Sequence, residues 1–194
     1  MGHLRAALHE RTGTDIGEAA AKEAIRAEIA YYRAHLDEGR DAESLLDLRL
    51  RCVDAMELPY DRDIVFAALM DSLRFHAFAD SAPFLHEVRA RGIRTVVVSN
   101  WDFSLHERLR ETGLAELVDG AIASAEIGSA KPDGAIFAAA LEIAGSRPDE
   151  TWHVGDTPEA DVEGARAAGI HPVLIAREGA AGAVRSLAEL IPLL

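Results

Sequence analysis

The chain has 194 residues, 49% of them hydrophobic, which suffices for one main core with a modest appendage and excludes two large independent domains. Its formal charge of -13, with no block of Lys or Arg, excludes the electrostatic footprint of a nucleic-acid binder. A single cysteine, Cys52, excludes an internal disulfide, and no apolar run is long enough to span a bilayer, so a cytoplasmic protein that binds neither nucleic acid nor membrane is expected.

The N-terminal residues LRAALHER read as a polar helix. From Asp15 to Phe75 the pattern is helical throughout. Ile25, Ile29, Tyr32 and Leu36 share one face, and Leu45, Leu48, Cys52, Val53 and Met56 share another. Pro59 punctuates the run, and Asp61 is placed to cap a helix whose apolar face holds Val65, Leu69 and Leu73. This segment reads as a small helical bundle.

From Ser81 onward short apolar strands alternate with amphipathic helices, the pattern of a parallel sheet built through right-handed crossovers. Ser81 and Pro83 open a helix through Arg91, Gly92 ends it, and Arg94 to Ser99 is a buried strand. A helix from Ser104 to Thr112 is stopped by Gly113. Gly120 to Ala123 forms a strand, and Asp133 caps a helix through Ile136, Phe137, Ala140, Leu141 and Ala144. Thr151 to Val154 is a third strand, Thr157 and Pro158 open a further helix, Pro172 to Ala176 is a fourth strand, and a last helix is expected over 183–190.

In open parallel sheets ligands bind beyond the carboxyl ends of the strands, where loops and helix N-termini converge. There the sequence offers Ser99 and Asn100, then Lys131, then Asp156 with Asp161 five residues on. A phosphoryl group in transfer spreads negative charge over its oxygens and calls for neutral donors and a cation, which Ser99, the backbone of Asn100 and Lys131 can supply, all three as substrate-binding groups and Ser99 and Lys131 also as catalytic ones. A carboxylate at a strand end can hold Mg²⁺, a hard cation; Asp156 is that candidate, supported by Asp161. Each residue also has a local explanation: Ser99 or Asp156 as a helix cap, Lys131 as a solvated loop residue, Asp161 as a solvated first-turn carboxylate.

The order and spacing of these residues resemble the haloacid dehalogenase (HAD) superfamily of hydrolases. Val96 to Asn100 (VVVSN) is similar to its second motif, Lys131 to Phe137 (KPDGAIF) to its third, and Gly155 to Asp161 (GDTPEAD) to its fourth. Ser99 to Leu114 looks most like the phosphatase-type branch that also includes the dehalogenases. The resemblance implies a Rossmann-like α/β core over 78–194, a helical cap over 15–77, and a remnant of the core's first helix over 1–14. It implies that Ser99 hydrogen-bonds phosphoryl oxygens, Lys131 neutralises nucleophile and substrate charge, Asp156 ligates Mg²⁺ and Asp161 steadies the metal's water or Lys131. Family chemistry runs through an aspartyl-phosphate.

The first motif of that family, an apolar strand ending in an Asp-x-Asp turn ahead of the cap, has no counterpart here. Thr12 to Asp15 carries similar letters but follows a polar helix, so Asp15 is not expected to be the nucleophile. The expectation is a truncated start, weak or absent Mg²⁺ binding, and a sheet lacking its central strand, with self-association through the edges so exposed. The reading is a phosphatase of small phosphorylated metabolites, impaired as this chain. The alternatives are a degenerate binding domain and a 2-haloacid dehalogenase. Elsewhere the eight histidines make no paired metal spacing, and Gly128 to Lys131 is not a phosphate-binding loop of the GxxxxGK[ST] kind. Tyr31, Tyr32, His35 and Arg49 are candidates for cap residues that reach a substrate, with bundle packing as the plainer reading.

Overall fold

A helix stays in place only when its apolar stripe meets another, and the first 75 residues satisfy this among themselves. The computed structural model describes residues 2–194, which divide into two units: one through Phe75, the other His76–Leu194. The first contains α1 (Gly2–Thr12), α2 (Glu18–His35), α3 (Ala42–Ala55) and α4 (Arg62–Ser72). Helix α1 packs on α4, and α3 packs on both α2 and α4. Leu4, Ala7 and Leu8 meet Ala24, Val53, Met56, Val65, Ala68 and Leu69 in one core. Two helices start on side-chain caps. Asp41 accepts from the Ser44 amide at 2.9 Å while the Ser44 hydroxyl receives the Asp41 amide at 3.1 Å, and Asp61 accepts from the Asp63 amide at 2.9 Å, as its position suggested.

The buried face of α2 differs from the expected one. Ile29 is 39% exposed, and Ala21, Ala24 and Glu28 are buried instead. The reason is electrostatic as well as steric: Glu28 lies 3.7 Å from buried Arg49 of α3, whose guanidinium also covers the Tyr32 ring at 4.6 Å. Burial pushes the Glu28 carboxyl upward, and the Arg49 charge opposes that shift without cancelling it. The inward face is therefore the one that can neutralise an interior guanidinium, and bulkier Ile29 is turned outward.

The second unit runs through α5 (Ser81–Ala90), β1 (Val96–Ser99), α6 (Leu105–Glu111), β2 (Gly120–Ala123), α7 (Ser124–Ile127), α8 (Gly134–Ala144), β3 (Trp152–Gly155), α9 (Gly164–Ala167) and β4 (His171–Leu174). A π-helical turn, Pro158–Glu163, leads into α9. All strand pairing is parallel: Val96 to Ser99 lie opposite Gly120 to Ala123, and Trp152 to Gly155 opposite His171 to Leu174. These are two separate two-stranded sheets, and β1 and β3 are not hydrogen-bonded to each other. Ile136 and Phe137 of α8 pack with Ile122, Ala165, Ile170 and Val98, so α8 lies against both strands of the first sheet.

The helix expected over 183–190 does not form. Val184 makes a parallel bridge to Ile175, which extends the β3–β4 side, and Ser186 caps a 3-10 helix at Leu187–Leu193 by accepting from the Ala188 amide at 3.2 Å. Pairing a β-branched residue with a strand end overrides the helix propensity of its alanine neighbours. Among the described residues no helix is long and apolar enough to cross a membrane.

Asp80, just before α5, fastens this C-terminal segment. Its Oδ2 accepts from Arg177 Nη1 at 2.7 Å, the Ser186 hydroxyl at 2.8 Å and the Leu187 amide at 2.8 Å. The Arg177 hydrogen bond, opposed by burial and aided by Ser186 and Leu187, holds the carboxyl well below the usual carboxylate range. A depressed carboxylate contributes stability above its unfolded-state value of 3.8 and loses it as pH falls through the lower folded value. Acid titration of the wild-type chain followed by circular dichroism is therefore expected to show stability falling below that pH. Asp80→Asn should be less stable at neutral pH and show a flatter acid limb, and an unchanged limb would refute the assignment.

Candidate active site

The carboxyl ends of β1 and β3 carry a connected polar cluster. Asn100, immediately after β1, grips the backbone of Lys131 from both sides: its Nδ2 donates to the Lys131 carbonyl at 2.9 Å and its Oδ1 accepts from the Lys131 amide at 2.7 Å. An amide side chain carries a donor and an acceptor atom side by side, which suits this two-point contact. The grip fixes the loop between α7 and α8 and aims the Lys131 side chain along the strand ends. Its ammonium donates to the Val98 carbonyl at 2.9 Å and to Asp161 Oδ1 at 2.6 Å.

Asp161 is the hub. The side chains of Lys131 and Asp161 are 11% and 5% exposed, so this is a buried ion pair, and the local reading of Asp161 as a solvated carboxylate is excluded. The same Oδ1 meets His153 Nε2 of β3 at 2.9 Å, and Oδ2 accepts from the Thr157 amide at 2.9 Å. Burial alone would push the Asp161 carboxyl up. Hydrogen bonds from His153, Lys131 and Thr157, with the Lys131 charge, outweigh it and hold the carboxyl well below the usual range. Asp161 is therefore an anion whose accepting capacity is turned toward Lys131, His153 and Thr157.

Gly155 makes this approach feasible. A Cβ at that position would lie 2.1 Å from Asp161 Cγ, far inside contact distance, so the strand must present a bare backbone where the turn folds back over it. His153, two residues earlier on the same strand face, was passed over among scattered histidines. The two-residue period linking it to Gly155 is the signal that could have found it. Its ring stands edge-on to Phe137 of α8 at 5.1 Å, which fixes the imidazole against the apolar core.

Ser99, partly buried at the end of β1, makes no side-chain hydrogen bond among the described residues. The loop that follows is tied down without it: fully buried Asp102 accepts from the Ser104 amide at 2.7 Å, and the Trp101 amide donates to Ser124 Oγ at 3.1 Å. Asp156, exposed beyond β3, receives only a long contact from Thr157 Oγ1 at 3.3 Å. Among the described residues no group of three or more His, Cys, Asp or Glu side chains is arranged to hold a metal ion. Asp15 belongs to the first unit, where it is paired with Arg5 and accepts from the Gly17 amide. Tyr31 stacks on His35 at 4.2 Å, and Arg51 donates to the Tyr31 hydroxyl at 3.3 Å, so these aromatics are engaged within their own bundle.

Comparison with known proteins gives the family and the fold. The model of the haloacid dehalogenase-like hydrolase family matches residues 4–169. A phosphoserine phosphatase of Thermus thermophilus is 35% identical over 117 residues, which is 60% of this chain and 47% of that one. The chain thus spans about half the length of this curated relative. Among solved structures, a HAD phosphatase from Thermococcus onnurineus superposes with a TM-score of 0.68 at 22% identity, covering 98% of this chain and 86% of that one. A 2-haloacid dehalogenase from Pseudomonas syringae superposes with a TM-score of 0.69 at 24% identity, covering 99% and 87%. At such identities these likenesses establish the fold.

Gly155→Ala tests the hub directly. It should displace Asp161 and destabilise the second unit by about 1–3 kcal/mol, as overpacking of a tight contact does, in urea unfolding monitored through Trp101 and Trp152. An unaltered midpoint would show that the turn accommodates a Cβ.

Proposed function

The chain belongs to the haloacid dehalogenase-like hydrolases, and we propose that it serves the hydrolysis of a small phosphorylated metabolite. The observation that carries this reading is the buried Lys131 ammonium, anchored by Asp161 and by the carbonyl of Val98, the residue before Ser99, whose hydroxyl makes no hydrogen bond among the described residues. A cation and a neutral donor, held rigidly at one strand end, suit an anion whose charge is spread over several oxygens. In this reading Lys131 and Ser99 bind the phosphoryl oxygens, Asn100 positions the Lys131 backbone, and Asp161 holds the ammonium aimed. The phosphoserine phosphatase likeness supports the same substrate class. We assign the cap role to the helices between residues 15 and 77 and the core role to 78–194.

Mg²⁺ belongs to this proposal only in part. Asp156 is an exposed hard-oxygen ligand in the right chemical class, but one carboxylate falls short of the shell that holds Mg²⁺ firmly. Asp161 already accepts from Lys131, His153 and Thr157. No step is assigned to the metal. Titration calorimetry of the 194-residue chain with MgCl₂ is expected to give no saturable heat in the micromolar range, and tight binding would contradict this.

A second reading, a degenerate domain that binds an anion without turning it over, is favoured by one observation. Asp15, the acid nearest in sequence to a first-motif pattern, is consumed by Arg5 in the first unit. A dehalogenase would present the same lysine to a carboxylate substrate. These readings separate in a binding experiment followed by turnover. Titrating inorganic phosphate into ¹⁵N-labelled protein should shift the amides of Ser99, Asn100 and Lys131. Ser99→Ala should weaken the response about tenfold, the loss of one charge-assisted hydrogen bond, and Lys131→Met should abolish it. Phosphate release from a panel of phosphomonoesters then distinguishes enzyme from binder. A response to 2-chloropropionate and none to phosphate would overturn the phosphatase reading.

A further inference from the structure

We infer that His153 is a positioning residue for the anion site: by donating to Asp161 it fixes the carboxylate oxygen toward which the Lys131 ammonium is drawn, and through that ammonium it sets how tightly a phosphoryl group is held. For the phosphoryl group this rests on the function proposed above; for the ammonium it does not.

The tautomer follows from charge. Asp161 is held as an anion and an ionised carboxylate only accepts, so the His153 nitrogen 2.9 Å from its Oδ1 carries the proton and donates as Nε2–H. That same oxygen accepts from the Lys131 ammonium at 2.6 Å, while Oδ2 accepts from the Thr157 amide at 2.9 Å. The last torsion of an aspartate side chain is soft, with no sharp rotamer wells. A backbone amide at one oxygen and an imidazole at the other remove that freedom. Without the imidazole, Oδ1 is left with the lysine alone, and the anchor becomes as mobile as the group it should hold.

The imidazole is itself immobilised. Its side chain is 12% exposed and stands edge-on to the ring of fully buried Phe137. Phe137 is in turn wedged by Gly164, where a Cβ would lie 2.9 Å from both Phe137 Cε2 and Pro132 Cα. The ring of His153 is therefore seated on the helix that follows the Lys131 loop, and Gly164 holds that helix and loop together. This matters because Asn100 secures only the backbone of Lys131. The flexible four-carbon stem beyond it is ordered by its tip, through the Val98 carbonyl and Asp161. Val98 is a fixed main-chain acceptor, whereas Asp161 is a side chain that needs a support of its own.

Donation and packing are separable roles for this residue. His153→Leu keeps an apolar side chain against Phe137 and removes the donor. His153→Gln does the reverse, since its side-chain amide places an N–H where Nε2 stood but has no aromatic edge. If His153 only fills space, leucine is the milder change. If it aims Asp161, glutamine is.

The composition of the chain makes the test direct, because its lysines are Lys22 and Lys131. In protein labelled with ¹⁵N-lysine, the Lys131 ammonium, whose side chain is 11% exposed, should give a signal protected from exchange, and that of Lys22, 43% exposed, should not. His153→Gln should retain the protected Lys131 signal and an affinity for inorganic phosphate close to that of the wild type. His153→Leu should lose the signal to exchange and bind phosphate about tenfold more weakly, the loss of one charge-assisted hydrogen bond. A Lys131 signal unchanged in His153→Leu overturns the inference, as does its loss in His153→Gln, which decides the matter alone if the leucine variant does not fold. A wild type that ignores phosphate while its Lys131 signal follows this order supports the positioning role and overturns the phosphatase reading instead.

Discussion

The second unit is organised by a lysine ammonium shared between a strand carbonyl and a buried carboxylate. Taking Lys131 and Asp161 out of water is costly, and their attraction offsets that cost only when the remaining hydrogen-bonding capacity is met. Here Val98, His153 and Thr157 meet most of it, and Asn100 holds the loop that delivers the lysine. The same contacts that make the pair tolerable also determine where β1, the α7–α8 loop and the turn after β3 must lie relative to one another. Geometry and electrostatics are one constraint.

That constraint explains how two short parallel ladders can stand apart and still form a unit. Each sheet is only two strands wide. Neither has the hydrogen-bonded breadth that usually stabilises a parallel sheet, which is ordinarily buried on both faces. The polar bridge at the strand ends and the α8 floor beneath substitute for direct pairing of β1 with β3. Asp80 does the corresponding work at the other end of the chain, binding residues after β4 to the start of α5. Both anchors are carboxylates held far into their ionised form, so the unit's tertiary arrangement is coupled to charge.

For function, the consequence is that a cation is pre-placed and cannot wander. A solvated lysine loses rotamer entropy each time it meets an anion, whereas Lys131 is already ordered. Family membership makes the chain a haloacid dehalogenase-like hydrolase by descent, and its fold is shared by a phosphatase and by a dehalogenase.

Much of the α/β order was legible because strand, turn and helix signals are local. The valine run, the stops at Gly92 and Gly113, and the caps at Asp61 and Asp133 depend only on neighbours within a turn of chain, and the structure carries helices and strands there with boundaries moved by a residue or two. Asn100, Lys131 and Asp161, singled out by their order and spacing, meet in one hydrogen-bonded cluster, whereas Asp156 stands outside it. The inward face of α2, the strand bridge at Val184 and the contacts of His153 were not legible. Each depends on a partner distant in the chain: Arg49 for Glu28, Ile175 for Val184, Asp161 for His153. Spacing along a sequence states which side chains can share a face. Only folding determines which buried charges must find one another, because the cost of leaving them unpaired is incurred in the interior.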